Sequence, residues 1–244
     1  MMRSAILRLA LGAALVGTAL TGCGDNKNTI AKARRFAQQG NYAEAHKAFD
    51  EALAADANDY NALWGKADTY RREGNLAKQA EVLEKVVAQE ELMKSYAGVI
   101  KPALEENYRK QAEQKMADAA AAEGFLRKAI ELNKKSEANQ TLANLLYKEA
   151  KEAHGKKDLA KALEYYGKAL DLRMPRALRN KIKMQQEVAE FLKFKQDFEP
   201  TWQAAKPKLI EAGQYDEKTD TVFVTAEVEV DGKVGDEGYE QNAE

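Results

Sequence analysis

The sequence predicts an all-α fold: a short α-solenoid of helix hairpins with a C-terminal capping helix and a short extended or disordered acidic tail. Three observations carry that expectation. Charged side chains make up 32% of the 244 residues while prolines number only 4, a composition that favours helices over a sandwich or barrel. Apolar residues recur at steps of three and four through most of the chain. The segment Gly40-Asn41-Tyr42-Ala43-Glu44-Ala45 returns in outline as Gly74-Asn75-Leu76-Ala77-Lys78-Gln79, 34 residues later.

The same totals exclude several kinds of chemistry. A single cysteine leaves no disulfide framework and no thiol cluster for zinc or iron and sulfur. The two histidines, His46 and His154, are too few and too far apart for a metal site built on imidazole. A net charge of −1 provides no basic footprint for a phosphate backbone, so nucleic acid is not an expected partner.

Residues 1–22 hold Arg3 and Arg8, no acid, and an almost wholly apolar run from Ala5 to Leu20. That order is the pattern of a signal peptide. It ends in Leu20-Thr21-Gly22-Cys23, which resembles the bacterial lipobox position for position. The resemblance implies lipidation of Cys23, with several acyl chains that hold the protein permanently at a membrane. No other cofactor is expected. Gly24, not an aspartate, follows the cysteine, which implies the periplasmic face of the outer membrane; the periplasmic face of the inner membrane is the alternative. Residues 23–28 are expected to form a short extended linker.

Residues 29–174 are expected to form the repeats. A 34-residue period with small residues where two helices approach, aromatics where they cross, and Gly-Asn at the turn resembles the tetratricopeptide repeat. Ala33, Phe36, Gly40, Ala45, Phe49 and Ala52 occupy those places in a first repeat over 26–59. Ala67, Tyr70, Gly74, Leu83 and Val86 do so in a second over 60–93, where Gln79 replaces an expected small residue. A third pair is expected over 102–136, without the glycine turn and with Asp118 before an alanine run. A fourth is expected over 137–174, with a longer first helix. Stacked repeats bury their apolar faces on each other and leave a concave surface for a partner.

Residues 175–212 are expected to cap the stack. A helix from Pro175 to about Phe198 carries Leu178, Met184, Val188, Phe191, Leu192 and Phe198 on one stripe, taken as the face that covers the last repeat, with Arg176, Arg179, Lys181 and Lys183 outside. A short helix follows Pro200 and is interrupted at Pro207. Residues 213–244 form the tail. From Glu211 onward there are eleven acids and two bases, and residues 221–230 alternate as one strand, with no partner other than a hairpin through Asp231-Gly232.

No nucleophile elbow, phosphate loop, zinc-protease histidine pair, calcium loop or dinucleotide fingerprint is present in the sequence, so no enzymatic activity is expected. In tetratricopeptide proteins the partner usually lies along the first helix of each pair. The resemblance places Ile30, Arg34, Ala37 and Gln38 there in the first repeat, and Asn61, Trp64, Asp68, Arg71 and Arg72 in the second. Ile30 and Arg34 stand where relatives that grip a chaperone's carboxylate carry Lys and Asn, which disfavours that partner. The expected function is a membrane-anchored scaffold of the bacterial cell envelope that binds a protein or peptide in the groove. The alternative is a structural or self-assembling accessory subunit of an envelope assembly, secretion or pilus machine, with the tail or cap as contact surface.

Overall fold

The structure, a computed structural model, describes residues 23–222. They form an all-α fold of helix hairpins with one small β-hairpin at the end. The apolar leader and most of the expected strand lie outside the described residues. The chain divides into two compact units. One holds the residues up to 146 together with 171–176; the other holds 147–170 and the residues from 177 onward.

The first unit stacks three hairpins: α1 (Cys23–Gln38) with α2 (Tyr42–Ala55), α3 (Tyr60–Glu73) with α4 (Leu76–Val87), and α5 (Glu90–Gln114) with α6 (Ala119–Leu132). The repeated Gly-Asn pair explains the first two turns. Gly40 and Gly74 take left-handed backbone angles, φ 76° and 79°, which a residue without Cβ adopts without strain. The next amide then bonds back to the helix it leaves: Asn41 N–H to the Phe36 carbonyl and Asn75 N–H to the Tyr70 carbonyl, both at 2.9 Å. Asn75 also accepts from the Lys78 amide and so caps α4. Asp59 and Asp118 cap α3 and α6 in the same way.

Between hairpins, small residues let backbones close in. Phe49 of α2 is fully buried against Gly65 of α3, where a Cβ would run into the ring. Around it Ile30, Ala33, Ala37, Ala45, Ala52 and Ala62 complete the core of the first hairpin. Gln79 is no packing defect. Its side-chain carbonyl accepts from the Asn107 amide at 2.9 Å; Asn107 also donates to the Leu76 carbonyl, so a buried polar clasp joins α4 to α5. Above it the Tyr108 hydroxyl donates to Glu84, which also receives Lys128 from α6 at 3.3 Å. Burial and that carboxylate push the Tyr108 hydroxyl well above its ordinary pKa.

Five expectations need correction. Residues 23–28 are the first turns of α1 and not an extended linker. Asn26 donates to the capping Asp59 at 3.0 Å, and a helical rise of about 1.5 Å per residue shortens the reach from Cys23. The third hairpin begins at Glu90 and not near Pro102, because α5 runs through that proline at the cost of one backbone hydrogen bond.

The other three corrections fall in the second unit. It holds the last turns of α7 (Ala138–Gly155), α8 (Leu159–Leu170) and α9 (Arg176–Glu211). The α7–α8 turn repeats the earlier geometry with Lys157, φ 60°, in place of glycine and Asp158 N–H bonded to the Ala153 carbonyl at 3.0 Å. Helix α9 is continuous over 36 residues, through both Pro200 and Pro207. Its buried positions are Ile182 and Ala189, so the stripe expected to face inward faces out: Phe191 is 65% exposed and Met184 55%. The buried side of the helix is the one that carries Ile182 and Ala189. Last, the expected strand has a partner upstream. β1 (Tyr215–Asp216) pairs antiparallel with β2 (Thr221–Val222), and Tyr215 packs edge-on against Trp202 at 5.3 Å.

Candidate groove along the first helices

The candidate site lies in the first unit, where α1, α3 and α5 each present one face. On α3, Trp64 and Asp68 are one turn apart and so form a ridge. On its α1 side a cavity of about 270 Å³ is lined by Arg34, Ala37, Gln38, Trp64, Asp68 and Arg72, with Phe49, Gly65 and Thr69 as its floor. On its α5 side a cavity of about 180 Å³ is lined by Trp64, Asp68, Arg71, Glu106, Asn107 and Lys110, among others.

The ridge is held rigid from both ends. The Trp64 ring stacks on Tyr60 at 6.3 Å, and Tyr60 stacks flat on Tyr96 of α5 at 3.5 Å and 2°. Burial, and secondarily the Tyr96 hydroxyl, raise the Tyr60 pKa. Asp68 accepts from Arg71 Nε at 2.9 Å and Nη2 at 2.6 Å, and from Arg72 Nε at 2.7 Å. Burial alone would raise the Asp68 carboxyl; the hydrogen bonds and charges of Arg72 and Arg71 outweigh it and hold the carboxyl below its ordinary range. Across the groove a bond from Lys110 keeps Glu106 low as well. The lining therefore carries four cations, Arg34, Arg71, Arg72 and Lys110, against two carboxylates. That is an amphipathic slot with the Trp64 ring in its wall, which suits recognition of an extended chain.

Of the residues expected at a partner groove, Arg34, Ala37, Gln38, Trp64, Asp68, Arg71 and Arg72 come together here. Asn61 sits beside it and accepts from Arg34 at 3.1 Å. Ile30 does not belong: it is buried in the core of the first hairpin. The Cys23 side chain lies outside the described residues. Sequence reasoning missed the α5 wall, Glu106, Asn107 and Lys110, because it applied the first-helix rule only to the first two repeats. It also missed Tyr60, although the spacing Tyr60 to Trp64 places both on one face of α3. Among the described residues no cluster of His, Cys, Asp and Glu could hold a metal ion. No described helix is long and apolar enough to cross a membrane.

The family profile described as tetratricopeptide repeat matches residues 30–91, from α1 into the start of α5. No curated protein matches the chain. Among solved structures, a crystal structure of MamA is 23% identical, over 71% of this chain and 92% of that one, with a TM-score of 0.34. A thermophilic tetratricopeptide-repeat protein of Thermus thermophilus is 21% identical over 68% and 99%, with a TM-score of 0.30. BtubC of P. vanneervenii is 18% identical over 86% and 96%, with a TM-score of 0.28.

Proposed function

We propose that this chain is a non-catalytic tetratricopeptide-repeat scaffold of the bacterial envelope, anchored by lipid on Cys23, that holds an extended segment of a partner protein along α1, α3 and α5. The anchor and the outer-membrane address rest on Leu20-Thr21-Gly22-Cys23 and Gly24. The groove reading rests on one observation above the others: the Trp64–Asp68 ridge with a cavity on each side. An aromatic ring already stacked loses little entropy when a partner side chain packs on it, and half-covered arginines strengthen contact with carboxylates once water leaves. The preferred segment is therefore extended and acidic, with an apolar side chain for Trp64.

Trp64→Ala is expected to weaken partner binding by about 2 kcal/mol, some 30-fold, as central aromatic anchors do. Arg71→Ala is expected to weaken it less, and to reduce the salt dependence of the affinity. Titration of the partner against both variants checks this; unchanged affinity in both overturns the groove assignment. Growth on tagged palmitate tests the anchor: label is expected in the wild type and none in Cys23→Ser, and an unlabelled wild type removes the lipid.

A further inference from the structure

The second unit holds a cavity of its own. It lies where the end of α7 and the start of α8 meet α9, and its volume of about 580 Å³ is that of a pocket for a small molecule. Its body is apolar, made by the buried Leu159 of α8 and by Leu192 of α9, which is 38% exposed. Around these stand His154 and Lys157 from the α7–α8 turn and Lys195 from α9, against one carboxylate, Glu199. Among the described residues neither lysine forms an ion pair, and Glu199 accepts from the Gln203 amide at 2.7 Å. The lining is thus apolar below and net cationic above.

The turn itself points to a ligand. Lys157 takes the left-handed φ of 60° for which Gly40 and Gly74 serve in the corresponding turns. A residue with a Cβ is strained there, and strain of this kind gathers where a side chain serves a site. The Lys157 amide donates to the His154 carbonyl at 2.9 Å, which fixes the two residues beside each other. The hydroxyl of the buried Tyr166 lies 3.4 Å from His154 Nδ1. It holds the ring by one nitrogen and leaves Nε2 without a partner among the described residues.

We propose that this cavity binds an unbranched aliphatic chain with one anionic head, the chemistry of a long-chain carboxylate. The chain lies on Leu159 and Leu192; Lys157 and Lys195 supply the charge that meets the carboxylate, and His154 Nε2 supplies a further donor. The same lining disfavours other ligands. A sugar or a nucleotide needs a set of fixed donors and acceptors, and beyond the charged groups and His154 only Gln196 provides any. No Phe, Tyr or Trp among the described residues lines the cavity, so a base has no ring to stack on. A cationic head would face two lysines. The cavity shares no residue with the groove, and the proposal does not rest on the groove reading.

A dodecanoate with a diazirine on its chain and a terminal alkyne tests this in intact cells that make the full chain. Light-dependent label is expected in the segments around Leu159 and Leu192. Excess dodecanoate is expected to remove it, and dodecan-1-ol at the same concentration to leave it in place. Lys157→Gly separates binding from folding, because it relieves the backbone while it removes the cation: labelling is expected to fall about 10-fold with unchanged helical circular dichroism, and Lys157→Arg to label like wild type. Lys195→Gln is expected to lower labelling in the same direction, Leu192→Asp to abolish it, and Trp64→Ala to leave it unchanged. Label spread evenly over the chain, equal competition by dodecan-1-ol, or full labelling of both Lys157→Gly and Lys195→Gln would overturn the proposal.

Discussion

Gly65 and Asp68 sit one turn apart on α3 and do opposite jobs. Gly65 exists to be small: Phe49 occupies the space that a Cβ would take. Gly65→Ala is expected to destabilise the first unit by roughly 1–3 kcal/mol through overpacking, and thermal unfolding measures it. Asp68 exists to be charged. Its folded pKa is depressed by Arg72 and Arg71 against the effect of burial, so its contribution is fully present above the unfolded carboxylate value of about 4 and is lost as pH falls through the folded value. Asp68→Asn should therefore flatten the acid limb of the stability curve below about pH 4 and change little in its shape at pH 7. A mutant acid limb identical to wild type would mean that Arg71 and Arg72 do not hold the carboxylate. His46 serves as a packing and hydrogen-bonding residue. It stacks on Tyr70 at 3.9 Å and meets Glu73 at 3.3 Å, which fastens α2 to α3.

At the scale of elements, three turns solve one problem with different residues. Gly40 and Gly74 supply the left-handed angle at no steric cost, whereas Lys157 adopts it with a Cβ in the way. Lys157→Gly is expected to stabilise the protein by about 1 kcal/mol, since relief of strain exceeds the added freedom of the unfolded chain; chemical denaturation reads it. These turns also show what a sequence reveals. Gly-Asn at a 34-residue interval was legible because only one backbone geometry needs it. The Gln79–Asn107 clasp was not, since neither residue implies the other until α4 lies on α5. Pro102 misled because a proline reads as a helix start, yet a long helix tolerates the loss of one hydrogen bond in its middle. The facing of α9 was undecidable from periodicity, which finds an apolar row and cannot say which side of it the neighbours will take.

On the scale of the molecule, two exposed surfaces differ in character. The groove on the first unit is mixed in charge, walled by Trp64 and built on three helices, as suits a segment that comes and goes. The row on α9 is exposed and mostly apolar. Seven of the nine residues expected at the partner groove line its cavities, because the first-helix rule depends only on the repeat register. The α5 wall lay beyond the two clear repeats and needed the structure. The most direct test of the groove is a photoreactive side chain placed in living cells at Gln38 or Lys110, inside it, and at Lys47 or Glu81, on the exposed faces of α2 and α4. Adducts of one defined size are expected from the two groove positions, lost when Trp64→Ala is added; equal adducts from Lys47 and Glu81, or adducts that survive Trp64→Ala, would contradict it.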